Sequence, residues 1–314
     1  MAGVALVPRI PRSEASADPT PLFVLPKVSI TGASAIGPGE LAAAWQRYIG
    51  KKVSQADLAA MAVNVGDVYR AAGFHLSRAS VPPQDIAGGT VRIEVIEGSI
   101  TDIVVKGEGV ERFGIRTLLS PLLAEKPSRL ASLERQLVLV NTRPGVRIID
   151  TQLEEMGKAS GQFRLVVSVQ TWSAYAFAGV DNLGSYAVGP WQSYATAAYN
   201  SMIAPGDALA LNLATTPGDP SQLRFARLSY DTPVGDDGLR VGASGLHSEV
   251  WPGDWRRLFS DNTKTDTFEL RAGISPLMSQ MQTLTLTMAA GFSSASPSTM
   301  FWGSFISTPF GRSA

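Results

Sequence analysis

Residues 283–290 read TLTLTMAA, an alternation that puts Leu284, Leu286 and Met288 on one side and Thr283, Thr285 and Thr287 on the other. A period of two sends successive side chains to opposite faces of an extended chain, so this is a strand with one apolar and one small polar face. Asp207 to Thr215 repeats the device, with Leu209, Leu211 and Leu213 opposite Ala210, Asn212 and Ala214. Five more segments share the texture: Trp172 to Val180, Pro190 to Asn200, Gln222 to Asp231, Leu239 to Val250 and Thr263 to Ile274, with Gln280 to Gly291 enclosing the first quoted run. Turn-forming runs separate them at Asn182-Leu183-Gly184, Ala204-Pro205-Gly206-Asp207, Pro217-Gly218-Asp219-Pro220 and Gly235-Asp236-Asp237-Gly238. Helical periodicity is absent after Gln170. Strands of about ten residues with a dyad repeat are the pattern of a transmembrane antiparallel barrel, whereas soluble β-sandwich strands run ~5–6 residues. The barrel is the better reading.

Charge divides the chain in the same place. Residues 171–314 hold 8 basic and 11 acidic side chains, against 19 and 16 in residues 1–170. A lipid-facing wall requires that scarcity. Across all 314 residues, 27 basic and 27 acidic groups give a formal charge of zero. That excludes a nucleic-acid binder held by phosphate electrostatics. The absence of cysteine removes disulfides, thiolate nucleophiles and thiolate metal sites. His75 and His247 alone make no histidine-rich metal centre, so no metal and no cofactor are expected. No apolar run reaches the ~18–20 residues of a membrane-spanning helix, which leaves a barrel open. The short apolar stretch Val4 to Val7, closed by Pro8, falls below the roughly 7–15-residue core of a secretory signal. Residues 1–21 read as a proline-containing disordered lead-in or linker.

Before Gln170 the periodicity is mixed. Phe23 to Ile30 predicts a strand, and Leu41, Ala44, Trp45, Tyr48 and Ile49 lie on one helical face. Ser54 with Asp57 three residues on predicts a capped helix whose buried stripe is Leu58, Met61, Val65, Val68, Tyr69 and Ala72. Gly73 stands where its C-terminal cap belongs. Strands are expected at Phe74 to Val81 and Thr90 to Glu97, giving β-α-α-β-β over residues 22–98. The order repeats over residues 99–170. Ile100 to Lys106 is a strand, Ile115, Leu118, Leu119 and Leu122 form a short helix, and Ser128 caps another bearing Leu130, Leu133, Leu137 and Val140. Strands at Val146 to Gln152 and Gln162 to Val169 close it. Two modules of roughly 75 residues precede the strand-rich segment 171–314.

The first module carries Ile30-Thr31-Gly32, Tyr48-Ile49-Gly50-Lys51, Tyr69-Arg70-Ala71-Ala72-Gly73-Phe74, Val81-Pro82-Pro83-Gln84-Asp85-Ile86 and Val95-Ile96-Glu97-Gly98. The strand-rich segment opens with Asp181-Asn182-Leu183-Gly184-Ser185, followed by Gly189. These runs resemble the outer-membrane transporters of two-partner secretion, the hemolysin-activator or TpsB family. The resemblance covers about residues 22–290 and is specific in combination. It implies two POTRA domains, 22–98 and 99–170, in the periplasm, followed by an outer-membrane β-barrel that is incomplete here. Gly32, Gly50, Gly73, Gln84, Asp85, Glu97, Gly98, Asp181, Asn182 and Gly184 are expected to act structurally. The implied partners are a secreted TpsA-type exoprotein, bound through its N-terminal secretion domain, and outer-membrane lipid. A monomer is implied.

The sequence departs from that family in two ways. No Val-Arg-Gly-Tyr-type run occurs, and only seven or eight strands fit in 171–314, against about 16 in the family barrel. The end, Pro309-Phe310-Gly311-Arg312-Ser313-Ala314, has no terminal aromatic. An interrupted transporter is expected, or a chain acting only as a POTRA binding module. An outer-membrane assembly factor is the third reading.

No enzyme is expected. Gly107-Glu108-Gly109 imitates a dinucleotide turn, but Arg112 takes the place of its third glycine. Gly242-Ala243-Ser244-Gly245-Leu246 misses a nucleophile elbow at its last residue. Ser260-Asp261-Asn262 and Lys264-Thr265 lack the Ser-x-x-Lys that would supply a β-lactamase nucleophile. The client site is expected on the edge strand of the first module: Phe74, His75, Leu76, Ser77, Arg78, Ala79 and Val81. There unpaired backbone would accept an extended segment.

Overall fold

The computed structural model describes residues 18–86, 89–254, 262–279 and 281–296. The Val4 to Val7 stretch, most of the lead-in, the Ser260-Asp261 pair and the Pro309 to Ala314 run lie outside the described residues.

The first module contains β1 (Pro21–Val24), β2 (Lys27–Thr31), α1 (Pro38–Ala42), β3 (Lys52–Ser54), α2 (Gln55–Ala71), β4 (Arg78–Ser80) and β5 (Thr90–Ile96). The single strand expected over Phe23 to Ile30 is two strands, interrupted at Leu25-Pro26. Leu25 leaves the line to exchange backbone bonds with Lys51 and Gly50 (2.9 and 2.7 Å), and β1 pairs antiparallel with β3. The expected helix to Ile49 stops at Ala42 and continues as a 3-10 turn over Gln46–Tyr48, yet Leu41 and Ala44 are buried as its spacing required. Helix α2 opens on the predicted capping box, with Ser54 Oγ accepting from Asp57 N–H and the Asp57 carboxylate accepting from Ser54 N–H. Leu58, Met61, Val65 and Tyr69 pack with Leu41, Val53, Val91, Ile93 and Val95 into one core. Strand β5 is central, parallel to β2 and antiparallel to β4.

The second module repeats this: β6 (Ser99–Lys106), α3 (Ile115–Leu119), α4 (Leu130–Asn141), β7 (Val146–Glu155) and β8 (Gln162–Thr171). Its strand order, β6-β8-β7, is that of β2-β5-β4, again with the first strand parallel to the last. Helix α4 begins two residues past Ser128, and the Ser128 hydroxyl accepts from the Ile100 N–H of β6 (3.0 Å). The glycine pair after β6 leads into a 3-10 turn at Val110–Phe113, a plain strand-to-helix connection.

Seven strands follow: β9 (Ala174–Asp181), β10 (Gln192–Asn200), β11 (Ala208–Thr215), β12 (Leu223–Val234), β13 (Leu239–Val250), β14 (Thr263–Met278) and β15 (Thr283–Ala295). They form one antiparallel sheet in sequence order, β9 at one edge and β15 at the other, so the barrel is not closed. Every segment predicted from alternation is a strand. No helix among the described residues is long and apolar enough to cross a membrane. The chain forms two compact units, one of residues up to 106 with 118–137 and 148–168, the other of 107–117, 138–147 and 169 onward.

Candidate client-binding edge and transmembrane sheet

The client edge is shorter than the sequence implied. Of the expected strand Phe74 to Val81, only Arg78–Ser80 is extended, pairing as Arg78↔Ile96, Ala79↔Val95 and Ser80↔Glu94. Phe74, Leu76 and Ser77 are 5%, 3% and 7% exposed and form the corner between α2 and β4. The strand is shorter because the chain turns here while it buries Phe74 and Leu76. The Ser77 hydroxyl accepts from Gly98 N–H (3.3 Å), so this residue is spent on the junction of the two modules. His75 has both ring nitrogens enclosed without a hydrogen-bond partner, and burial pushes its imidazole below the usual value, toward the neutral form. Arg78 reaches across to the second module, Nη1 donating to Glu155 Oε2 (3.0 Å), and this bond above all holds the Glu155 carboxyl below its ordinary range. The free edge of this sheet runs along Arg78 to Ser80.

The motif residues divide between turns and close approaches. Gly32 has φ +79°, and a Cβ there would lie 2.1 Å from the Val95 carbonyl oxygen, so only glycine fits. A Cβ on Gly98 would meet Leu76 within 2.4 Å, which fixes the buried corner against the strand end. Gly50 and Gly73 also adopt positive φ, at the end of the 3-10 turn and past the end of α2. Glu97 ties β5 to the loop after β2: its carboxylate accepts from Ala35 N–H (2.8 Å), Ser34 N–H (2.6 Å), the Ser34 hydroxyl and Tyr69 Oη (2.7 Å). Burial pushes the Glu97 carboxyl up, and these donors outweigh it, leaving the group below the usual value. Asp181 Oδ1 accepts from Leu183 N–H (3.0 Å), an Asx turn into the loop where Gly184 lies against the Gly189 carbonyl.

Gln84 has a function that the sequence did not reveal. Beyond Ser80, the ladder would place Pro82 opposite Arg92, and proline has no N–H to give. The Gln84 carboxamide supplies both bonds instead, accepting from Arg92 N–H (2.8 Å) and donating to the Arg92 carbonyl (2.9 Å). Proline followed two residues later by a side-chain amide was the available signal.

From β11 to β15 the sheet separates its two faces by chemistry, whereas β9 and β10 add Tyr175, Phe177 and Tyr194 to the face of Asn212. Leu211, Leu228, Gly245, Phe268 and Phe292 form one cross-strand row, and Leu209, Leu213, Leu270, Leu286 and Met288 share its face. The opposite face carries Asn212, Arg227, Asp231, Ser244, Glu269 and Arg271. Arg271 Nε donates to Asp231 (2.8 Å), Arg227 to Ser244 (3.1 Å), and Thr196 to Asn212 (2.9 Å). Charge returns to the apolar face only toward one strand end, where Lys264 pairs with Glu249 (3.0 Å), His247 with Asp266 (2.7 Å), and Trp251 donates to Glu249. That end has connections 182–191, 216–222 and 251–262, and the other has 201–207, 235–238 and 279–282, none of them longer than any of the first three. An apolar band, a polar inner face and unequal loops are the marks of an outer-membrane barrel wall.

Two β-α-α-β-β modules leading into such a sheet have the architecture of POTRA-type modules followed by part of a barrel wall. The profile described as POTRA domain, ShlB-type, matches residues 23–98. The Heme/hemopexin transporter protein HuxB of Haemophilus influenzae (strain 86-028NP) is 27% identical over 216 residues, covering 67% of this chain and 38% of HuxB. The Outer membrane transporter CdiB of Escherichia coli O6:K15:H31 is 24% identical over 189 residues, 60% of this chain and 32% of CdiB. Among solved structures, CdiB from Escherichia coli superposes with a TM-score of 0.70 at 17% identity, over 95% of this chain and 55% of that one. CdiB from Acinetobacter baumannii gives 0.59 at 16% identity, over 93% and 57%. Over its matched length the chain is similar to these outer-membrane transporters, and it spans less than two fifths of the curated relatives it matches.

Proposed function

We propose that this chain serves protein export by two-partner secretion, its two modules lying in the periplasm and receiving an unfolded exoprotein for passage through an outer-membrane barrel. The observation that carries the reading is the joining in sequence of two modules of one topology to an antiparallel sheet whose strands β11 to β15 have one apolar and one polar face. The modules offer backbone edges for an extended segment, and the face bearing Asn212, Arg227, Glu269 and Arg271 offers polar groups along which an unfolded chain can slide. No reaction is assigned to any residue, and no cofactor is invoked. Within the first module the receiving edge is Arg78 to Ser80 with Val81, where main-chain bonds give affinity and alternate side chains give selectivity. The client is an exoprotein recognised through its N-terminal secretion domain, and one copy of the transporter suffices.

The test is secretion. The gene is expressed with a candidate exoprotein that bears an N-terminal secretion domain, in cells lacking any other such transporter. Exoprotein in the medium supports the reading, and its retention in the periplasm with the transporter present in the outer membrane overturns it.

A further inference from the structure

The connection between β10 and β11, residues 201–207, is held from two sides. Internally, the fully buried Asp207 carboxylate accepts from the N–H groups of Met202 (2.7 Å), Ile203 (2.9 Å) and Ala204 (2.7 Å) and from Tyr230 Oη (2.8 Å). Ser201 adopts φ +54°, and its hydroxyl accepts from Gly206 N–H (2.9 Å). Externally, residues 107–117 and 138–147 of the second module grip the same turn. Arg112 Nε donates to the Ser201 carbonyl (2.7 Å), and its guanidinium lies 4.9 Å from the centre of the Tyr199 ring. Arg143, 9% exposed, donates to the Phe113 carbonyl and packs on Gly206, where a Cβ would come within 3.2 Å of it. Pro205 abuts Gly114, and Arg240 donates to the Gly206 carbonyl (3.1 Å). The Trp172 N–H bonds the Gly145 carbonyl (2.8 Å), while Asn200 Nδ2 bonds the Trp172 carbonyl (3.0 Å).

A tether that only joins two bodies needs none of these bonds. Segments that open easily have few buried contacts and solvent-exposed backbone bonds. Here the carbonyls of Phe113, Gly145, Trp172, Ser201 and Gly206 all have donors, and opening would strand the partners of a buried arginine. We propose that residues 201–207 are a latch, with Arg112 and Arg143 as positioning residues that hold segments 107–117 and 138–147 on the ends of β10 and β11 throughout transport. These parts move as one body, so a client passing segments 107–117 and 138–147 always meets the same point of the sheet. Only that last consequence rests on the export reading; the rigidity stands on the contacts.

The chain has no cysteine, so a pair can be introduced cleanly. Glu111→Cys and Met202→Cys neighbour the bonded residues Arg112 and Ser201, and both positions are exposed. In outer membranes, a short bismaleimide should join them in most molecules. Secretion of the candidate exoprotein should match that of single-cysteine proteins capped with the same reagent. Arg143→Ala, and Arg112→Ala on an exposed side chain should the first fail to assemble, are each expected to slow cross-linking about tenfold, the effect of one lost charged hydrogen bond. Heat-modifiable gel mobility should stay parental, and secretion should fall alongside cross-linking. The latch is wrong if joining the pair stops secretion while capped single cysteines secrete. It is equally wrong if removing either arginine leaves cross-linking unchanged. Should the parent protein secrete nothing, the export reading fails, while the cross-linking rates still decide the latch.

Discussion

Glu97 concentrates the cohesion of the first module in one side chain, because four donors from Ser34, Ala35 and Tyr69 converge on it. Its folded value lies below the usual carboxylate range, so it contributes stability above the unfolded value and loses it as pH falls through the folded one. Hydrogen exchange at the Ser34 and Ala35 amides reads this directly in the whole chain. Their protection should be constant around neutrality and drop once acid protonates Glu97. Glu97→Gln should raise both exchange rates about tenfold at neutral pH and remove the acid dependence, since a carboxamide keeps one acceptor and carries no charge. Unchanged rates would mean that backbone packing alone orders the loop. The glycines at 32 and 98 were legible as turning points, though their close approaches to Val95 and Leu76 were not. Gln84 was legible only as a family residue, because a side chain completing a strand ladder depends on which backbone group the fold leaves unpaired.

Helix α2 was legible in its cap, its glycine stop and most of its stripe, local signals that agree, but Ala72 lies past its end and is exposed. Ser54→Ala should cost about 1 kcal/mol in urea unfolding of the first module, as loss of an N-cap does. A midpoint equal to the parent's would remove the cap from the account. Strand β4 was legible in place and wrong in length. Local alternation cannot distinguish a strand from a corner that buries every second residue, and Phe74, Leu76 and the Gly98 approach are long-range facts. A test of the client edge therefore falls on Ala79 and Ser80. Successive residues of an antiparallel edge strand direct their N–H groups alternately inward and outward. Proline at the outward one of the pair should leave the module folded and weaken binding of the exoprotein's secretion domain about tenfold, the loss of one backbone bond with its partner stranded. Parental binding by both folded proline variants would move the client elsewhere.

At the scale of the molecule, the strand-rich half was legible because lipid and water impose their difference on every second residue. All seven strands fall where alternation put them, with ends shifted by a few residues. The helical modules were less complete, since β1 and β3 pair through residues with no periodic signal. The same two-sided logic gives the sharpest prediction. Thr267 and Phe268 are adjacent on β14, and their side chains leave opposite faces of the sheet. Phe268 shares its row with Leu228 and Phe292 and is half exposed, as a lipid contact must be. Thr267 bonds Ser293 (2.9 Å) and shares its face with Arg227, Glu269 and Arg271. Arginine at 268 would place a charge in hydrocarbon at about 2–4 kcal/mol if the site lies near the bilayer midplane, whereas arginine at 267 enters a face already built from charged and hydroxyl groups. In outer membranes, Phe268→Arg should therefore deplete the assembled, heat-modifiable form, and Thr267→Arg should leave it near the parental level. Because the two positions share one depth and one strand, local backbone disruption would affect both alike. Equal depletion, or a reversal of the order, would mean that the apolar face is not the one that meets lipid.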